Sequence, residues 1–280
     1  MNNKLNGLTI RALCTDIDGT LLDSRRELSN QTIETIALIK ESIPIILASS
    51  RMPAAMRHLQ QQLDILQHPL ICYNGGYVIR YDEKGRATVI YSAMIPIDVT
   101  ANILNLASQT SVHVSLYHED RWYAPRVDEW TNREATITKV SPVLKDGRDV
   151  LKLWDANGNG AHKIMIMGDA AEVKTLEKAL RSAYKEDVHV YHSKSTYLEI
   201  APKVISKASA LRLLLDDLYR IDLSEVIAFG DNYNDIEMLE AVGWGVAVEN
   251  ARDEVKAVAS AITLDSKLDG VAVAIQRYLL

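Results

Sequence analysis

Three short apolar runs limit what the first part of this chain can become. Ala12-Leu13-Cys14, Ile45-Ile46-Leu47-Ala48 and Leu70-Ile71-Cys72-Tyr73 are apolar without alternation. Runs this brief do not make buried helices, and side chains apolar on both faces predict strands covered on both sides. Between them lie helical patterns. Ile33, Ile36, Ala37 and Ile39 fall on one face behind a Ser29 N-cap, Ser42-Ile43-Pro44 ends that helix, and a second starts at Pro53. This alternation is that of parallel βαβ units and predicts an α/β sheet. Such sheets bind ligands at the carboxyl ends of their strands. There the three runs stop on polar stretches: Thr15-Asp16-Ile17-Asp18-Gly19-Thr20, Ser49-Ser50-Arg51 and Asn74-Gly75-Gly76.

From about Tyr81 to Pro202 the pattern changes. His113–Tyr117 and Trp122–Ala124 flank a polar turn, and Val188–Tyr191 pairs with Tyr197–Ile200, so two antiparallel hairpins are expected. Lys163–Met167 reads as a strand and Glu172–Tyr184 as a helix, which together describe an α+β unit. Three of the four tryptophans, Trp122, Trp130 and Trp154, lie here, with Tyr117, His118 and Tyr123. They suit the core of a small domain or a lid that excludes water. The α/β texture then returns. Ala208, Leu211, Leu214, Leu215 and Leu218 share a helix face, and Val226-Ile227-Ala228-Phe229 runs as a strand into Gly230-Asp231-Asn232-Tyr233-Asn234-Asp235. A helix from Ile236, a strand at Gly245–Val248 and two more helices complete the chain. The expected organisation is an α/β core over 1–82 and 203–280, interrupted by an α+β domain over 83–202.

Charge narrows the partners. With 31 basic and 37 acidic residues the net charge is −6, so broad electrostatic binding to nucleic acid or to an anionic membrane is not expected. No apolar run approaches the ~20 residues of a membrane span. The first residues, Met-Asn-Asn-Lys-Leu-Asn-Gly, lack the apolar stretch of a signal peptide, and Cys14 and Cys72 both sit in strand-like runs as reduced core thiols. A cytoplasmic address is the expectation.

The strand ends carry the chemistry. In extended backbone Asp16 and Asp18 project to the same side, and two carboxylates at about 4 Å repel by about 4 kcal/mol at an effective dielectric of about 20. Such a pair calls for a cation or for acid–base work. Asp231 and Asp235 supply further carboxylates from another strand end, Ser49 a hydroxyl and Lys207, at the start of a helix, an ammonium. Oxygen ligands favour Mg²⁺ over Zn²⁺, and a hydroxyl with an ammonium suits a phosphate dianion. A calcium loop starting at Asp16 would need glycine where Leu21 stands.

The stretch DIDGTLL, the strand end ASSR, a lysine opening a helix and GDNYND together resemble the four motifs of the haloacid dehalogenase-like phosphotransferases. The large insert, Asn74-Gly75-Gly76 before it, and Val246-Ala247-Val248-Glu249-Asn250-Ala251 with Asp269-Gly270-Val271 after it are similar to the type IIB capped, Cof-like sugar phosphatases. The resemblance implies a Rossmann-like parallel-sheet core with an inserted α+β cap. It implies Asp16 as nucleophile, forming an aspartyl-phosphate, and Asp18 as general acid and then base. Mg²⁺ would be held by Asp16, the Asp18 carbonyl and Asp231, with Asp235 in support. Ser49, Lys207 and Asn234 would line the phosphate site. Ser50 stands beside Ser49 where the family has glycine, and would narrow the pocket. Lys203 stands where the family often has glycine and is read as a solvent lysine. The implied activity is Mg²⁺-dependent hydrolysis of a small phosphorylated metabolite, a sugar phosphate first, with a phosphorylated cofactor (pyridoxal phosphate or a flavin nucleotide) as alternative. A sugar phosphomutase of the same superfamily is a further alternative. A receiver-type signalling module would be about half this length and without an insert.

Overall fold

A computed structural model describes residues 7–280, without the side chain of Ser193. Residues 1–6, read above for a missing leader, lie outside the described residues. The first strand, β1 (Ala12–Thr15), is buried at every position, as its unbroken apolar sequence requires. There follow α1 (Asn30–Ala37), β2 (Ile45–Ala48), α2 (Ala54–Leu63), β3 (Leu70–Cys72), β4 (Tyr77–Tyr81) and β5 (Ala87–Ser92). The Ser29 side chain caps α1 through the Thr32 N–H. The buried face of α1 is Thr32, Thr35 and Ile36 with Ile39 beyond, while Ala37 is exposed. The face is therefore turned from the expected one, because the helix ends at Ala37 and Ile39 is buried from the following turn.

The next stretch holds α3 (Ile97–Ala107), β6 (His113–His118), β7 (Arg121–Ala124), α4 (Glu129–Thr138), β8 (Val143–Leu144) and α5 (Gly147–Asp155). It continues with β9 (Lys163–Met167), α6 (Ala170–Ala183), β10 (Val188–Lys194) and β11 (Tyr197–Pro202). The chain finishes with α7 (Lys207–Leu218), β12 (Val226–Gly230), α8 (Ile236–Ala241), β13 (Trp244–Ala247), α9 (Asp253–Val258), β14 (Ala261–Ile262) and α10 (Gly270–Tyr278).

The chain divides into two compact units. One comprises residues up to Ser50, Met56–Tyr91 and Ser206–Leu280. Its sheet runs β14-β13-β12-β1-β2-β3-β4-β5. From β14 to β3 every pair is parallel, whereas β4 returns antiparallel to β3. The division after β3 thus falls at Ser92 and not at 83. Although β5 is largely exposed and reads as amphipathic, its backbone extends this sheet, so its side chains gave no sign of where it pairs.

The other unit comprises Arg51–Ala55 and Ser92–Ile205. Its sheet, β10-β11-β9-β6-β7-β8, contains both expected hairpins. The last pair, β7 with β8, is parallel, so this sheet is not wholly antiparallel. One face packs Leu116, Tyr123, Ile164, Ile166, Leu198 and Ile200 against α3, α5 and α6. On the other, Tyr117 stacks on Trp122, whose Nε1 donates to Ser115 Oγ (2.9 Å). Trp122 and Trp154 are fully buried and act as core. Among the described residues, no helix is long and apolar enough to cross a membrane.

Candidate active site

The site is built at the carboxyl ends of β1 and β12, which are hydrogen-bonded neighbours. The Asp16 N–H still bonds Phe229 O (3.0 Å), so Asp16 is fixed as the last rung of that ladder. The chain then turns at Gly19, whose φ of +88° is left-handed. A Cβ on Gly19 would stand 2.5 Å from Asp231 Oδ2, so the approach of that carboxylate also requires glycine. Thr20 Oγ1 donates to the other oxygen, Asp231 Oδ1, at 2.9 Å.

After β12 the chain makes a 3-10 turn, Tyr233–Asp235. Asp235 is wholly buried, and its Oδ2 accepts the N–H groups of Asp231 and Asn232, each at 3.0 Å. Its Oδ1 accepts from Lys207 Nζ at 2.7 Å, and the same ammonium donates to Asp16 Oδ1 at 2.5 Å. Lys207 is the first residue of α7, behind a capping box made by Ser206 and Ser209. Burial opposes its charge, but Asp16 and Asp235 outweigh that and raise the proton affinity of the amine.

Carboxylate oxygens of Asp16, Asp231 and Asp235 lie within 4.8 Å of one another. Three acids face one ammonium, which leaves an uncompensated negative charge in a partly dry site. Burial pushes the Asp16 carboxyl well up, with Lys207 pulling against it and Asp235 adding to it. Burial and then Asp235 push Asp231 up to about 6. The cluster favours a cation. Asp16 Oδ2 and Asp231 Oδ2 accept no hydrogen bond among the described residues, whereas both oxygens of Asp235 are taken. Asp16 and Asp231 therefore fit a hard divalent ion as ligands, and Asp235 fits better as their support.

The other expected site residues are placed around this cluster. Asp18 is not one of its three acids: its carboxylate is over a third exposed and pairs with Arg26 at 3.2 Å, while its charge still adds to the upward push on Asp231. Ser49 is buried at the end of β2, where its N–H bonds Ile71 O and its carbonyl accepts the Asn74 N–H. Ser50 is half-buried and is not among the left-handed residues, so serine takes the glycine position without that strain. Asn234 Nδ2 donates to Asn74 Oδ1 at 2.9 Å. Lys203 is exposed. Sequence reasoning missed Arg26, and quoted Thr20 and Asn74 without giving either a role in the site. Thr20 could have been found as a hydroxyl two residues beyond the acids, whereas nothing in the spacing marks Arg26.

A family model described as haloacid dehalogenase-like hydrolase matches residues 13–275. The pyridoxal phosphate phosphatase YbhA of Escherichia coli is 27% identical, over 98% of this chain and all of its own. A haloacid dehalogenase-like hydrolase from Bacteroides thetaiotaomicron has a crystal structure that superposes with a TM-score of 0.85 at 30% identity, covering 96% of this chain and 99% of that one. A sugar phosphatase of haloacid dehalogenase subclass IIB shares the fold, with a TM-score of 0.78 at 22% identity over 95% of this chain and 98% of its own.

Proposed function

The chain belongs to the haloacid dehalogenase-like hydrolases, and on that premise we propose that it is a member of their subclass IIB, Cof-like branch and a Mg²⁺-dependent phosphatase of a small phosphorylated metabolite, a sugar phosphate first. The observation that carries the proposal is the Asp16–Lys207–Asp235 chain of ion pairs with Asp231 beside it. In this reading an Asp16 oxygen attacks phosphorus while the bond to the ester oxygen breaks, and Asp18 gives that oxygen its proton. Water then attacks the aspartyl-phosphate, Asp18 takes the proton back, and phosphate leaves Asp16 free. Lys207 keeps Asp16 oriented and offsets the charge of the incoming dianion. Asp16 and Asp231, with the Asp18 carbonyl, are the groups that would hold Mg²⁺, which when bound supplies the charge screening that lets a carboxylate approach a phosphate dianion. Ser49 and Asn234 complete the phosphate site. Asp18 is suited to work at the leaving oxygen because its carboxylate is over a third exposed and is not tied to Lys207 as Asp16 and Asp235 are.

A phosphorylated cofactor is the second reading, supported by the likeness to a pyridoxal phosphate phosphatase across 98% of the chain. The deciding experiment is phosphate release from a panel of sugar phosphates and pyridoxal phosphate. Wild type is expected to release phosphate, and both Asp16→Asn and EDTA to abolish release. Asp18→Asn is expected to be inactive in turnover yet to accumulate phosphoenzyme, since it keeps the accepting carboxylate. Hydrolysis that resists EDTA, or phosphoenzyme in Asp16→Asn, would overturn the reading.

A further inference from the structure

After β3 the chain runs through three consecutive left-handed residues: Tyr73 at φ 54°, Asn74 at 57° and Gly75 at 108°. Glycine takes this conformation freely and asparagine tolerates it, but for tyrosine it is unfavourable. Such backbone persists only where its surroundings hold it, and functional sites are where it collects. The contacts here run to three of the site's parts. The Asn74 N–H donates to Ser49 O (2.9 Å), at the end of β2. Asn74 Oδ1, on a side chain only 3% exposed, accepts from Asn234 Nδ2 (2.9 Å) in the turn that carries Asp235. A Cβ on Gly75 would stand 2.6 Å from Ser206 O, so the loop lies against the residue before Lys207. The three places are far apart in sequence, and this loop reaches each of them.

We propose that Asn74 is a positioning residue of the phosphate site, its left-handed backbone tying the Ser49 strand end and its side chain fixing the amide of Asn234. The inference rests on the phosphatase reading. With Oδ1 of Asn74 accepting one of its protons, the Asn234 carboxamide loses rotation about its last bond. Its remaining N–H is then set in direction before a phosphoryl oxygen arrives.

Asn74→Gly tests this, because glycine keeps the left-handed backbone and the N–H to Ser49 while deleting the bond to Asn234. The side-chain amide protons of Asn234, identified by their loss in Asn234→Ala, are expected to exchange with solvent roughly tenfold faster in Asn74→Gly, the effect of one hydrogen bond. Each single variant is expected to lower kcat/KM for phosphate release about tenfold, and the double variant to lower it no further. Unchanged exchange in Asn74→Gly, or losses that multiply in the double variant, overturns the inference. If Asn234→Ala keeps full kcat/KM while Asp16→Asn has none, the inference falls and the phosphatase reading stands. If no substrate gives release dependent on Asp16, the phosphatase reading falls and takes the inference with it.

Discussion

Lys207 keeps its charge where burial and position both oppose it. The ammonium is fully buried, and it opens α7, whose amino-terminal end carries the positive pole of the helix dipole. Only Asp16 and Asp235 reverse the balance. Removing one member of a buried ion pair costs about 3–5 kcal/mol, because its partners stay buried and unpaired. Lys207→Met is therefore expected to lose stability of that order in urea unfolding. Phosphate turnover should also fall, about 10²-fold or more, the usual loss when one stabiliser of a developing charge is removed. Turnover within a few-fold of wild type, assayed where the variant is still folded, would refute the assignment. At this scale much was legible. Asp16, Asp231 and Lys207 announce themselves because they sit where strands stop or a helix starts, and the chemistry restricts what two acids and a lysine can do there. Arg26 was not legible, since it acts through one contact to the Asp18 carboxylate that the spacing does not give.

At the scale of elements, His162 shows how a buried group records its surroundings. It opens onto β9, it is fully buried, and its Nδ1 accepts the Glu119 N–H (3.0 Å), so its proton is on Nε2, facing Ser92 Oγ (2.9 Å). Burial first, and then the neighbouring His118, lower its pKa from the ordinary 6.5 to about 3. Above pH 6.5 both the folded and unfolded chains carry it neutral, and the stability is complete. Below that the unfolded chain takes up a proton that the folded one refuses, so stability falls with pH, by about 1.4 kcal/mol per unit, until about pH 3. Between pH 7 and pH 5 wild type should thus lose roughly 2 kcal/mol more than His162→Gln, in urea unfolding followed by tryptophan fluorescence. Equal losses would show that the imidazole is not held neutral. The sequence marked β6 with β7 and β10 with β11 as hairpins, and β9 as a short strand-like apolar run. It did not mark α4 or β8: α4 is poor in apolar residues, and β8 is two exposed residues that pair through their backbone. Tyr73-Asn74-Gly75 was legible only as the end of a strand, because its left-handed course is settled by contacts to Ser49, Asn234 and Ser206.

For the whole molecule, an α/β core with an inserted α+β unit was legible because the two parts follow different periodicities. The boundary at Ser92 was not, since β5 joins the larger sheet by backbone pairing alone. The folding free energy of that larger unit has to carry the acid cluster, in a chain that is already at −6. A ligand that binds the folded but not the unfolded chain adds RT ln(1 + [L]/Kd), about 2.7 kcal/mol at a hundred times Kd. Mg²⁺ should therefore raise the melting temperature of wild type, by on the order of 5 °C at saturation for a chain of this size. Asp231→Asn should behave in the opposite sense in both states. Without metal it should melt higher than wild type, since one of three mutually repelling carboxylates is gone, whereas Mg²⁺ should shift it little because a ligand is lost. Asp235→Asn offers the contrast: it weakens the tie to Lys207 and should melt lower than wild type without metal. Calorimetry of the three proteins in EDTA and in excess Mg²⁺ reads all of these shifts. A Mg²⁺ shift in Asp231→Asn as large as that of wild type would place the ion elsewhere. A metal-free Asp231→Asn that melts below wild type would show that Asp231 is stabilised by its neighbours, against the repulsion expected of three acids around one ammonium.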